Sequence, residues 1–427
     1  MRADFEEALR SYNVRETPDR RSARIPGPAT WAARKAPTPL NRQAQPLLTP
    51  QFALLLITTA VIGLSFSTYF LLPKFLAVEL AADAATIGGV SAISLIASVL
   101  VMPVAGIQVD HRGRRLFAWA GALLFALASA GMLFVERVGP LLWGLRLLQG
   151  VGFPLFYVAL STLATDIAPR ARVGQAIGLF GGVMIATNAL GPALAEWGAA
   201  LFGWRAVFGA TVVAALLAAV LARGLPDAHR PRARGTAGSL RGMLKRPGMM
   251  RVLCITAMVG WGFAAMFTFH QPWALANGFE QVSLYLAGFA ASAMVVRVGL
   301  GGLADRMGRL RVAQASLLLY VLAPLSLVWL PALGLLLTGA LLGLSHGLFF
   351  PALNAVAVDL SRDDERGKAM AVYNGAFNLG FASGSYLLGY IAIATDYPTI
   401  FAIATASCAA AFGLLASTGK HPQPARP

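Results

Sequence analysis

Two stretches decide the architecture: GIQVDHRGRR, Gly106 to Arg115, and GGLADRMGRLR, Gly301 to Arg311. Each reads Gly, three residues, Asp, two residues, Gly, Arg, and each follows a long apolar run. Their aspartates, Asp110 and Asp305, stand 195 positions apart in a chain of 427 residues. A motif repeated at nearly half the chain length predicts a duplicated molecule.

The surrounding composition says where that molecule sits. Hydrophobic residues are 57% of the chain and charged residues 13%, outside the range of soluble domains and in keeping with repeated apolar spans of about 20 residues. Twelve such spans can be drawn, at 52–75, 86–109, 115–136, 139–165, 174–197, 204–223, 251–275, 283–304, 309–330, 332–358, 368–394 and 397–417. A bilayer admits helices or closed barrels but no open sheet, so an all-α membrane protein is expected. Cys254 and Cys408 lie within apolar runs, without metal-ligand spacing, so they read as packing residues. No cofactor or metal is implied.

The net charge of +16 would fit a nucleic-acid partner if it were clustered on one soluble face. Of the 35 Lys and Arg, 30 fall in the tails and in the loops on one side of the predicted spans, among them Arg112, Arg114 and Arg115. Three (Lys74, Arg137, Arg205) fall on the other side and two (Arg146, Arg297) within spans. This is the positive-inside asymmetry, which predicts that both termini are cytoplasmic. The partner is the lipid bilayer and not nucleic acid.

Residues 1–50 are basic and polar, without an apolar core for a signal peptide, and read as a disordered cytoplasmic tail. The expected organisation continues with a six-span half at 51–223, a basic cytoplasmic linker at 224–250, a second half at 251–418 and a short tail at 419–427. The halves align beyond the opening motif: FLLPKFL (70–76) with FHQPWAL (269–275), Asp166 with Asp359, and Gly191 with Gly384. Parallel repeats of six spans imply two pseudo-symmetric bundles around a central path.

This pattern resembles the major facilitator superfamily over nearly all of Phe52 to Ser417. The opening motif matches the family's signature loop between spans two and three and its repeat between spans eight and nine. The resemblance implies a twelve-helix transporter of two six-helix bundles that works by alternating access. It also implies a conformational latch built from Gly106, Asp110, Gly113, Arg114 and Asp166, mirrored by Gly301, Asp305, Gly308, Arg309 and Asp359. Asp110 would meet the helix start at Arg366 to Ala369, and Arg114 would pair with Asp166. Asp305 would lie near Val173 to Gln175, and Arg309 would pair with Asp359. His111 departs from the family pattern, which usually has Arg or Lys there. RLLQGVG, with Arg146 and Gln149, resembles a second motif. GLFGGVMIATNALGPALAEWG resembles the antiporter motif only in part, since Thr187, Ala195 and Glu196 replace expected glycines.

Candidate residues for substrate and protons follow from what a bilayer penalises. Arg146 and Arg297 are costly inside spans and should face a cavity or a partner. For Arg146 the readings are proton relay, anion contact or a structural bond to Gln149; for Arg297, an anion site or a brace. No acid lies in the middle of a span, which leaves His346 and His270 as titratable groups. A single histidine is equally a packing residue. Tyr69, Trp261, Phe350, Asn354, Tyr373, Asn374 and Asn378 supply aromatics and amides suited to a moderately apolar substrate; any one of them also fits helix packing. The function expected is proton-coupled efflux of a drug-like or sugar-like compound by a monomer in a bacterial-type inner membrane. The alternatives are a proton-coupled uptake symporter for an organic anion and a non-transporting receptor or scaffold.

Overall fold

In a computed structural model the chain is helical; the structure describes residues 46–227, 240–300, 303–362 and 365–417. Ten helices are long and apolar enough to cross a membrane. One of these, Val173–Arg223, is 51 residues long and breaks at Gly203, whose φ of 78° only glycine adopts readily. It therefore supplies spans five and six. Adding the shorter Ser283–Gly299 as span eight gives twelve crossings.

Span one runs Pro50–Val78, span two Ala84–Arg112, span three Arg114–Met132 and span four Pro140–Ile167. Span seven is Met249–Ala276, nine Arg309–Val328, ten Leu330–Asp359, eleven Arg366–Ala394 and twelve Tyr397–Ala416. Local chemistry sets several starts. The Thr49 hydroxyl accepts from the Phe52 amide with Pro50 at the first helical position, and Asp83 and Asp396 cap spans two and twelve by accepting from Thr86 and Thr399. The two motif loops are single-residue turns: Gly113 at φ 98° and Gly308 at φ 94° join spans two to three and the short helix Leu303–Met307 to span nine. A side chain there would be strained, which is the local reason for the second Gly of each motif. Span eight is shorter than the sequence predicts because its helix stops at Gly299 and that short helix follows separately.

Each half has its own core. Phe52, Leu55, Phe125, Phe156 and Phe208 centre the first; Phe269, Tyr285, Tyr320, Phe349 and Phe401 centre the second. Small residues set the close approaches within a half, as expected where no hydrophobic force drives helices together in lipid. Between spans one and five, the Ser67 hydroxyl donates to the Thr187 carbonyl at 2.7 Å, and a Cβ on Gly191 would fall 2.0 Å from the Ser67 oxygen.

The halves meet unevenly. At the face opposite the motif loops, the far face, a Cβ on Gly88 of span two would stand 2.0 Å from the Ser385 carbonyl of span eleven, and one on Gly389 would stand 2.6 Å from the Ala84 carbonyl. Toward the motif face, Gly106, Gly174, Gly178, Gly182, Gly367 and Gly375 have nothing among the described residues within 4 Å of where a Cβ would lie. The halves are closed at the far face and splayed at the motif face. The segment between the halves is partly docked: Met243 is fully buried, and Arg246 pairs with Glu365 and donates to the Leu360 carbonyl at 3.3 Å. Residues 1–45, including the basic tail, lie outside the described residues.

Candidate functional site

Two cavities flank the contact between the halves. The first, about 160 Å³, is lined by spans one to four together with Phe267, Thr268, Asn378 and Phe381 of the second half. Arg146 lies in its wall, held on three sides: Nε donates to the Val90 carbonyl at 3.3 Å, Nη1 to Gln149 Oε1 at 2.5 Å and Nη2 to the Ser94 hydroxyl at 2.6 Å. All its described acceptors are neutral, so the guanidinium brings a net positive charge into the chamber. Gln149 is 2% exposed, and its Nε2 has at most the neighbouring Tyr69 hydroxyl as a partner among the described residues. A buried amide donor so sparsely partnered at a cavity wall is costly unless a ligand or water completes it. Tyr69 also lines this chamber, its hydroxyl 3.3 Å from that of Thr211. Phe66 stacks on Phe153 at 4.1 Å, and Phe70 meets Phe267 edge-on at 5.1 Å across the two halves.

The second cavity, about 660 Å³, lies among spans five, eight, nine and ten, with Arg297, His346, Asn188 and Phe350 in its wall. Arg297 is exposed to it, and a Cβ on Gly181 of span five would stand 3.3 Å from the guanidinium carbon. No hydrogen bond or ion pair holds Arg297 among the described residues, and the Asn188 Oδ1 is buried without a partner. His346 is no isolated group: its Nδ1 lies 2.6 Å from the Tyr320 hydroxyl, and its ring packs on Phe263, Phe350 and Phe377 at 4.9, 5.1 and 5.4 Å. His270 is a core residue, with Nδ1 against the Met266 carbonyl and its ring stacked 4.1 Å from Tyr285.

Several residues singled out in the sequence line neither cavity. Trp261 donates to the Ser383 hydroxyl at 3.0 Å and so ties span seven to span eleven. Tyr373 is fully buried and donates to the Phe350 carbonyl at 3.0 Å. Asn374 donates to Met370 of its own helix, and Asn354 has a buried Oδ1 without a partner among the described residues. Of the two amides one turn apart in span eleven, Asn378 lines the first of these cavities and Asn374 lines neither. Residues of one span divide between cavity wall and packing contact, because which face each side chain presents is set by the neighbouring helices.

At the motif face, Arg114 is buried and donates to Asp166 at 2.9 Å, to the Val109 carbonyl at 3.2 Å and to Asp110 at 3.1 Å. In the second half Arg309 Nη1 donates to both Asp359 oxygens at 2.6 Å. The structure thus brings together each Arg with the acid 50 or 52 residues later. It does not bring Asp110 to Arg366–Ala369: the carboxylate turns back on Arg114, and Gly106 is open. Gly301 and the Asp305 side chain lie outside the described residues.

Little in the sequence signals the far-face contacts. Gln271 of span seven is fully buried and reaches into span one, accepting from the Lys74 amide at 3.0 Å and donating to the Phe70 carbonyl at 2.6 Å. Lys74 Nζ donates to Glu196 at 2.7 Å, and the Glu196 oxygens accept from the amides of Val282 and Ser283 at 2.9 and 3.0 Å. The available signal was Glu196 itself, an acid standing where the antiporter-like motif has glycine, and the paired prolines Pro73 and Pro272.

Comparison with known proteins places this geometry. The family model of the Major Facilitator Superfamily matches residues 54–339 and again 271–427. The chain belongs to the major facilitator superfamily. It is a transporter-family protein and not an enzyme. A multi-drug resistance efflux pump PmrA homologue of Lactococcus lactis subsp. lactis is 27% identical over 321 residues, 69% of this chain and 76% of the relative. An uncharacterised superfamily member of Salmonella typhimurium is 27% identical over 352 residues, 79% and 88% of the two chains. The solved nucleoside transporter NupG superposes with a TM-score of 0.71 at 16% identity, covering 88% of this chain and 100% of that one. The human organic anion transporter MFSD10 gives 0.63 at 16% identity, covering 86% and 98%. At these identities the structural likeness speaks for the fold alone.

Proposed function

We propose that this protein is a secondary transporter that exports a small, amphipathic, drug-like or sugar-like compound by alternating access, coupled to protons, as a monomer in the bacterial inner membrane with both termini cytoplasmic. The observation that carries the reading is the first chamber: aromatic walls around Arg146 and the Gln149 amide, beneath a far face that is shut. Such a chamber offers stacking surface with few directional polar groups. The basic motif face is cytoplasmic on this reading, so the splayed side faces the cell interior, where an exporter loads. The likeness to an efflux pump homologue supports the same direction. The paired Arg114–Asp166 and Arg309–Asp359 contacts are the static half of the latch. Asp110 and Asp305 engage the opposite half when the motif face closes.

Arg297 favours a second reading. A guanidinium without a described partner in a cavity of about 660 Å³ suits bidentate capture of a carboxylate or phosphate, which would make the cargo an organic anion. Reconstitution in proteoliposomes with an imposed proton gradient, against fluorescent drugs, sugars and carboxylates, tests both readings. Gradient-driven movement of the drug class supports export. Carboxylate uptake that Arg297→Lys abolishes supports the second reading. No flux of any class under either gradient refutes transport and returns the receptor alternative.

A further inference from the structure

Span one is interrupted near its far end. Pro73 removes one amide from the helical ladder, Tyr69–Leu71 narrows to a 3-10 turn, and the next rung is missing too. The Lys74 amide, which would ordinarily bond the Phe70 carbonyl, bonds the Gln271 side chain of the other half; the same carboxamide donates to Phe70. One buried side chain therefore substitutes for a backbone hydrogen bond of the opposite bundle. Beside it, the Lys74–Glu196 pair lies wholly within the first half, yet Glu196 accepts from the first amides of span eight and Lys74 donates to the Glu280 carbonyl at 2.5 Å. The hydrogen bonds described between the halves all belong to this one cluster.

We propose that Gln271, Lys74 and Glu196 are the far-face gate of the transport cycle, with Gln271 completing the ladder of span one only while that face is shut. The physical basis is an exchange of nearly equal partners. When the halves part, water enters and satisfies the Phe70 carbonyl, the Lys74 amide and the start of span eight. The Lys74–Glu196 pair stays intact and is never left as a bare buried charge. Opening therefore swaps protein hydrogen bonds for water, a small net free-energy change, which an alternating machine requires of its gate. Leu72, the repeat mate of Gln271, cannot make these bonds, so the device is one-sided.

The proposal rests on alternating access and is tested by conformational populations, without cargo. On a background carrying Cys254→Ala and Cys408→Ala, spin-label pairs at Arg137 and Ala394 report the far face, and pairs at Arg115 and Arg311 report the motif face. Gln271→Leu and Glu196→Gln should raise the far-face-open to far-face-closed ratio about tenfold or more: the Gln271 bonds and the Glu196 bonds to the Val282 and Ser283 amides exist only in the closed state, whereas the Lys74–Glu196 pair is lost from both states alike. The far-face distance then lengthens as the motif-face distance shortens. Lys74→Met reaches the gate from its less buried side, at a side chain 17% exposed, and keeps the test open if a fully buried variant folds poorly. Arg205→Ala breaks the Arg205–Glu136 pair, which is confined to one half and 74% exposed on both sides, and should leave the populations alone. Folded gate variants with unchanged distances, or an equal shift from Arg205→Ala, overturn the proposal. A parent protein that never visits the second state, whatever gradient is imposed, would instead count against alternating access.

Discussion

The two motif pairs are alike in sequence and unlike in environment, and that difference predicts how each responds to losing its acid. Arg114 is 3% exposed at the side chain and Asp166 19%, whereas Arg309 is 38% and Asp359 57% exposed. In Asp166→Asn the buried guanidinium keeps the Val109 carbonyl and Asp110 but loses its most buried carboxylate. A charge-assisted bond to a desolvated cation contributes about 2 kcal/mol, below the full cost of an orphaned buried charge because Asp110 remains. Asp359→Asn removes an exposed pair and should cost about 1 kcal/mol or less. For a half of this size, that corresponds to a fall of roughly 4–8 °C against about 2–4 °C at most. Thermal unfolding of purified protein followed by intrinsic tryptophan fluorescence would show it, with high salt narrowing only the Asp359 effect. Equal shifts, or a larger one for Asp359→Asn, would refute the claim that burial and not motif membership sets the worth of these pairs.

Other perturbations follow from single contacts. Gly88→Ala places a methyl against the Ser385 carbonyl, so spans two and eleven must separate; we expect about 1–3 kcal/mol of destabilisation of the far-face-closed form, seen as faster labelling of a cysteine introduced at Ala82. Partial burial pushes the Glu365 carboxyl up, but the Arg362 amide and the Arg246 guanidinium hold it below its usual value. Its contribution to docking the 240–248 segment is therefore complete above the ordinary glutamate pKa and is lost as pH falls through the lowered one; amide exchange of that segment should rise with acid, and Glu365→Gln should show the acid level already at neutral pH. Asn378→Ala and Phe267→Ala should weaken binding of an aromatic cargo several-fold in tryptophan quenching while leaving the Arg114 and Arg309 pairs intact.

Much of the fold was legible because a bilayer leaves few alternatives. Apolar length, the 193-residue correspondence of Asp166 with Asp359 and the position of Lys and Arg are one-dimensional signals, and each maps directly onto a crossing, a repeat or a face. The second Gly of each motif takes a positive-φ turn, at Gly113 and Gly308, a local requirement that glycine alone meets without strain. The lining of the chambers could not. Trp261 and Tyr373 share spans with cavity residues but turn into packing contacts, and the rotation of a helix about its axis depends on its neighbours.

The sequence by itself determined that this is a duplicated, twelve-span helical transporter with a basic face, because hydrophobicity and charge act residue by residue along the chain. Tertiary structure alone decided which groups meet: that Arg146 is tied to Ser94 and Val90, that Arg297 faces a cavity beside Gly181, and that Gln271 repairs the ladder of span one from the other half. Those pairings join residues from about 50 to 200 positions apart, and only the packing of the two bundles sets such distances.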